Sequence, residues 1–216
     1  MLMKKFFGMA LSCAVLLLAL TACNSNNAQQ SAPAPDKLSV LKEILQVRKS
    51  IRQFDTTKVV SDEVMLDILW AANGINREDG RRTAPSAVNA QDIVMYVCQG
   101  DGTYLYRPAE EVLEKVSGTD IRPIFAGRNS FALNNPVIML MSDYSKFSRF
   151  GAEAAAKFGA MDAGYVSQNI YMYCAAADMA TVACAPGINQ KAVQEALMLP
   201  ETMISLIYHP VGYPAE

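Results

Sequence analysis

Residues 151–178 read GAEAAAKFGAMDAGYVSQNIYMYCAAAD, and no other stretch limits the possible folds so strongly. Small or apolar side chains fill Ala154, Ala155, Phe158, Ala160, Met161, Val166, Ile170 and Ala175. A helix of that composition is expected to be covered on most sides, as the spine of a domain or of a dimer interface. The remaining elements must supply that cover.

The beginning of the chain does not contribute to the fold. Lys4 and Lys5 precede an apolar run from Phe6 to Leu20, the pattern of a targeting segment, and the run is shorter than the roughly 20 residues a membrane span needs. It ends in Leu20-Thr21-Ala22-Cys23, which resembles the lipobox of bacterial lipoproteins. That resemblance implies a signal peptide over 1–22, a lipid-modified Cys23, and a protein exported and held at a membrane by its acyl chains. The polar, Pro/Ala-rich stretch Asn24 to Asp36 reads as a flexible tether. Asn24, in place of an aspartate after the cysteine, points toward an outer membrane.

Residues 37–216 suffice for one well-packed domain. A formal net charge of −2, made slightly more acidic by loss of Lys4 and Lys5, argues against a nucleic-acid partner. Once Cys13 and Cys23 are set aside, Cys98, Cys174 and Cys184 remain, without a C-x-x-C spacing. That count fits neither a zinc site nor a disulfide framework, and buried free thiols are expected, with a Cys174–Cys184 bridge as the other possibility.

Along the domain, apolar spacing predicts a helix over Leu38–Val47 and a second one capped by Ser61, with Asp62 and Glu63 in its first turn and Val64, Met65, Ile68 and Leu69 on its buried face. A polar loop then leads into DIVMYVCQ, a strand, and GDG turns it into a hairpin with TYLYR. Pro108 and the acids after it predict a short helix, and NNPVIMLMS a buried strand. After the long helix come ATVAC as a strand, NQKAVQEALML as a helix and ETMISLIYHPVGYP as a final strand. Interleaved helices and strands without strict βαβ repetition indicate an α+β domain with a mostly antiparallel or mixed sheet.

Two stretches could carry chemistry. In RKSIRQF, Arg48, Lys49 and Arg52 surround the hydroxyl of Ser50, a donor set suited to a phosphomonoester. The same residues would also serve as a solvated helix C-terminus. In APSAVNAQ, Ser86 and Asn89 lie in a loop before a strand, and the Asn89 amide matches the alternating C=O and N–H edge of a pyrimidine-like ring. An ordinary turn reads equally well. His209 is the only histidine and is expected in a core or loop role, while Tyr104, Tyr106, Tyr165, Tyr171 and Tyr173 are expected to pack.

Taken in order, RKSIRQF, SDEVMLDILWAANG, APSAVNAQ, the long central helix and LPETMISLIYHPVGYP resemble the nitroreductase-like flavoproteins over essentially all of Leu41–Pro214. The resemblance implies an α+β nitroreductase-like fold, a homodimer, and an FMN at its interface reducing or dehydrogenating a small organic substrate. Arg48, Lys49 and Ser50 would then serve the phosphate and ribityl end, and Arg52 the N1/O2 side of the ring. Pro85, Ser86 and Asn89 would line the ring, and Cys184 and Ala185 would pass its N5 face. Two departures stand out. Asp92-Ile93 replaces the family's usual aromatic, and the basic residues expected after GYP are replaced by Ala215-Glu216. Either phosphate affinity falls or Arg77, Arg81, Arg82 or Arg128 compensates. The rival expectation is a relative that keeps the fold as a ligand-binding or assembly lipoprotein without turnover.

Overall fold

The computed structural model describes residues 36–126, 133–185 and 188–215. Cys23, the tether up to Pro35, Arg128 and part of the loop over 117–134 lie outside the described residues. The chain forms α1 (Lys37–Val47), α2 (Asp62–Asn73), β1 (Ile93–Gln99), β2 (Gly102–Arg107), β3 (Val112–Ser117), α3 (Arg122–Ala126), β4 (Val137–Asp143), α4 (Ala152–Ala176), β5 (Ala180–Thr181), α5 (Gln190–Leu197) and β6 (Met203–Gly212). The six strands make one sheet in the order β3-β2-β1-β4-β6-β5, with every neighbouring pair antiparallel.

Both faces of the sheet are buried, which is why β1 and β4 read as continuous apolar runs. Ile93, Met95 and Val97 of β1, with Ile138 and Leu140 of β4, pack with Ile68 and Leu69 of α2 and Val166 and Ile170 of α4. The alternate side chains Tyr96, Cys98, Met139 and Met141 join Val193 of α5 and Tyr208 of β6 in a second cluster. The two sets follow the two-residue period of a pleated strand. Helix α2 begins as its sequence suggests, with the Ser61 hydroxyl accepting from the Val64 N–H at 3.3 Å and Gly74 closing the helix. Gly159 brings α4 close to β4, since a Cβ there would sit 2.6 Å from Ser142 Oγ.

Two sequence expectations give way. Pro108 and the acids after it form a turn rather than a helix, with Glu111 at φ 53°, and the chain returns as β3. The open edge of β2 supplies hydrogen-bonding partners that outweigh local helix propensity, and Arg107–Glu114 clasps the hairpin at 2.5 Å. The strand expected over Ala180–Cys184 pairs only through Ala180 and Thr181, with a single further bridge from Cys184 to Tyr208. Within one protomer, α4 buries one stripe, and the rest of the cover expected for it would have to come from a partner chain. Met161 is 47% and Tyr165 46% exposed, and Ala160, Gly164 and Gln168 are exposed beside them.

Helix α1 buries no side chain, and Leu38, Leu41, Leu45 and Val47 are exposed. Cys98, Cys174 and Cys184 are free and buried. No helix among the described residues is long and apolar enough to cross a membrane. Because Ile170 is fully buried between α4 and the sheet, Ile170→Ala should lower unfolding free energy by about 2–5 kcal/mol. Urea denaturation followed by circular dichroism measures that loss.

Candidate functional site

Helix α1 stops at Arg48, whose N–H still donates to Ile44 O, and the chain then runs extended beside β5, with Ile51 N–H donating to Thr181 O at 2.9 Å. An extended run sends alternate side chains to opposite sides. Ser50 Oγ lies 2.8 Å from the Tyr171 hydroxyl, and the Arg48 guanidinium sits 5.1 Å over the Tyr171 ring. The Tyr171 oxygen also accepts the Ala183 N–H at 2.8 Å. Two O–H protons belong to the Ser50–Tyr171 pair and only one can lie between the oxygens. The other is left to donate outward.

Arg52 lies close enough to Cys184 for its charge to lower the thiol pKa, but burial dominates and pushes that pKa up. Cys184 is therefore a neutral, buried thiol, and Ala185 continues from it to the surface. Lys49 does not join this group. With Ile51 it lines a separate hollow of about 410 Å³ against Cys174, Met179 and Pro214. Among the described residues, none of Arg48, Lys49 and Arg52 forms an ion pair. Their charge is open to an external anion.

The second group is the loop before β1. Val88, Asn89 and Gln91 have φ of 49°, 54° and 48°, a left-handed backbone that is costly for a β-branched valine. Hydrogen bonds hold it there. The Ala87 N–H donates to both Asp162 oxygens at 3.0 and 2.8 Å, and the Gln91 N–H to Ser86 Oγ at 2.9 Å. Arg82 Nε donates to Gln91 Oε1 at 3.1 Å, and Arg82 Nη1 to Asn73 O at 3.0 Å. Pro85, Ser86 and Asn89 line a pocket of about 320 Å³ together with Arg77, Arg81 and Arg82. The Asn89 side chain forms no hydrogen bond with the described residues, so its donor and acceptor are both free for a ligand edge.

Asp162 anchors this loop from the middle of α4. Burial, followed by its contact with Asp92, raises its pKa to about 7. Ser142 donates to Asp92 Oδ2, while buried Asp92 Oδ1 has no protein N–H or O–H to accept. The raised pKa favours the neutral form of the Asp162 carboxyl beside Asp92. His209 lies buried between Ser167 Oγ at 2.8 Å and Thr181 Oγ1 at 3.0 Å, and burial depresses its pKa to about 3. It is a neutral core residue, as the sequence suggests.

The two groups hang on opposite sides of one helix. Asp162 and Tyr171 are nine residues apart on α4, a rise of about 14 Å and a rotation of about 180°. One protomer therefore does not bring Arg48, Ser50 and Arg52 together with Ser86 and Asn89. Arg77, Arg81 and Arg82 lie on the Ser86 side, away from the first cation group. Sequence reading missed Asp162 and Tyr171. An acid within an apolar helix was a legible signal, since a buried carboxyl requires a partner; nothing marked Tyr171 apart from the other tyrosines.

The Nitroreductase family model matches residues 45–213. A protein of Methanocaldococcus jannaschii provisionally assigned as a nitroreductase is 24% identical over 186 residues, covering 82% of this chain and 92% of its own. The crystal structure of another such protein, from Ralstonia eutropha JMP134, superposes with a TM-score of 0.74 at 28% identity, over 85% of this chain and 88% of its own. A Desulfovibrio desulfuricans structure of the same description, in complex with FMN, gives 0.59 at 22% identity, over 82% of this chain and 87% of its own.

Asp162 gives a pH signature. Its folded pKa lies above the ordinary 3.8, so the folded state holds a proton that the unfolded chain releases. Stability from this group is complete below about pH 4 and is lost as pH rises to about 7. Relative to Asp162→Asn, the wild-type denaturation midpoint should fall across that window and level off above it. Tyr171→Phe should leave the Ala183 N–H unpaired and cost about 1–3 kcal/mol in chemical denaturation.

Proposed function

The chain belongs to the nitroreductase family, and on that premise we propose that it is an FMN-dependent oxidoreductase whose flavin is held between two copies of the chain. The observation that carries this reading is the division of the candidate site. A face of unpaired cations and hydroxyls lies on one side of α4, and a strained loop with an open amide lies on the other. A two-fold dimer can place the first group of one protomer against the second group of its partner and so complete two equivalent sites. The exposed apolar side chains of α1 and the Met161–Tyr165 stretch of α4 supply surface of the kind such an interface covers.

The residues fit FMN. Arg48 and the Ser50 hydroxyl, pre-positioned by Tyr171, would hold the phosphate, and Arg48 forms no ion pair among the described residues that would compete. Arg52 would place positive charge at the edge of the ring where negative charge accumulates on reduction. Asn89 would pair with the polar ring edge, while Ala183 to Ala185 would run beside the ring, Cys184 remaining a neutral thiol. Bound FMN would supply hydride transfer to or from a small organic substrate such as a nitro compound or quinone. Lys49 is left out of this clamp because its side chain lines a different hollow.

This proposal extends to the chain's location: a signal peptide over 1–22, lipidation of Cys23 and a tether to residue 36 would hold the enzyme at a membrane outside the cytoplasm. The test of the cofactor is an absorbance spectrum of purified protein after FMN is added and the excess removed. Flavin absorbance at about one FMN per protomer is expected, and Arg52→Ala should weaken FMN binding about tenfold or more. Folded protein that stays colourless would contradict the reading and favour a binding protein without turnover.

A further inference from the structure

The pocket of about 320 Å³ behind the Ser86–Asn89 loop has a composition that flavin binding does not account for. Arg77, Arg81 and Arg82 line it, and no carboxylate does. Arg81 is paired with Asp79 at 3.0 Å on the exposed side of the loop. The other two are not neutralised. Arg77 donates to Asn76 Oδ1 at 3.1 Å and to Arg82 O at 3.0 Å. Arg82 donates to Gln91 Oε1 and Asn73 O. All four acceptors are uncharged, so both guanidiniums keep their full charge and spare N–H groups.

These bonds also fix where the charges point. Ile75 bridges to Arg82, Asn76 N–H donates to Arg81 O at 3.1 Å, and Gly80 N–H donates to Arg77 O at 3.0 Å. Gly80 takes φ 75°, which lets the loop close on itself. The result is a small clasp that brings two cations to one hollow, which Ser86 and Asn89 also line. Arg82 is half-buried, and burial alone pulls its pKa down; a guanidinium in that position gains from a counter-charge. The hollow is of the size that holds a small organic molecule.

We propose that Arg77 and Arg82 form an anion subsite that grips a carboxylate or phosphate on the small molecule meeting the flavin, so that the preferred substrates of this protein are anionic. The inference rests on the reading of Ser86 and Asn89 as lining the flavin. The flavin's own phosphate is the other source of the same chemistry. Arg48 and Ser50, on the far side of α4, already provide for it. The planar fork of arginine matches two oxygens at once, and loss of one such charge-assisted pair removes about tenfold to a hundredfold in affinity.

The test uses two probes of one shape, 4-nitrobenzoate and 4-nitrobenzamide, whose dissociation constants are measured by calorimetry with the wild-type protein, with and without FMN. Binding does not require turnover, so the subsite and the enzymatic reading can fail separately. Wild type should bind the carboxylate at least about tenfold more tightly than the amide, and Arg77→Gln should abolish that preference. Arg77 is exposed, so this substitution spares the fold; Arg82→Lys, which keeps the charge and removes the fork, should reduce the preference without abolishing it. FMN and riboflavin titrations form the second arm, and their affinity ratio should be the same in wild type and Arg77→Gln. Equal binding of the two probes by wild type, or a preference that survives Arg77→Gln, would overturn the proposal. So would an FMN-to-riboflavin ratio that collapses in Arg77→Gln, since the pocket would then serve the flavin phosphate.

Discussion

Helix α4 buries Ala155, Gly159, Ala163, Val166 and Ile170 on one side, and the missing side chain of Gly159 lets it approach β4 closely. That contact sets the position of both ligand-facing groups, because each is tied to the helix by a single residue. Asp162 accepts the amide of the strained loop, and Tyr171 joins Ser50 to Ala183. Shifting α4 by one residue would rotate both anchors by about 100° and release them together. The separation of the half-sites is thus a property of the helix rather than of the loops.

Electrostatics divides along the same line. Inside, charge is suppressed: burial raises the Asp162 pKa to about 7, His209 is neutral, and burial drives the Cys98 and Cys174 thiols up to about 12. Outside, on the two surfaces that would meet a cofactor or substrate, cations stand without ion pairs among the described residues. Arg48 and Arg52 occupy one, Arg77 and Arg82 the other.

Much of this was legible in the sequence. The Ser61 cap, the GDG hairpin, the continuous apolar runs of β1 and β4 and the extent of α4 all follow from local rules. The misreadings share a cause. Pro108 to Glu114 carries helix-forming residues, yet the unsatisfied edge of β2 decides its conformation, and no local window contains that edge. On α4 the small residues do not reveal which face meets the sheet and which is left for a partner chain. For the site, RKSIR and APSAVN were recognisable as candidate ligand-binding stretches, whereas the placement of Lys49 in a separate hollow depended on an extended backbone, and the contact of Tyr171 with Ser50 spans more than a hundred residues. Asp92 was visible only as a departure from a family pattern; its pairing with Asp162 explains why an acid can occupy that buried position.

The central claim is that each flavin site is assembled from the Arg48–Arg52 face of one protomer and the Ser86–Asn89 loop of another. Subunit mixing tests it directly. Arg52→Ala and Asn89→Ala proteins, each deficient in FMN binding alone, would be unfolded together, refolded and titrated with FMN. If the sites are shared, mixed dimers contain one site with both substitutions and one with neither, and tight binding should return to about a quarter of all sites. If the mixture binds no more tightly than either parent, each site lies within a single chain and the account is wrong.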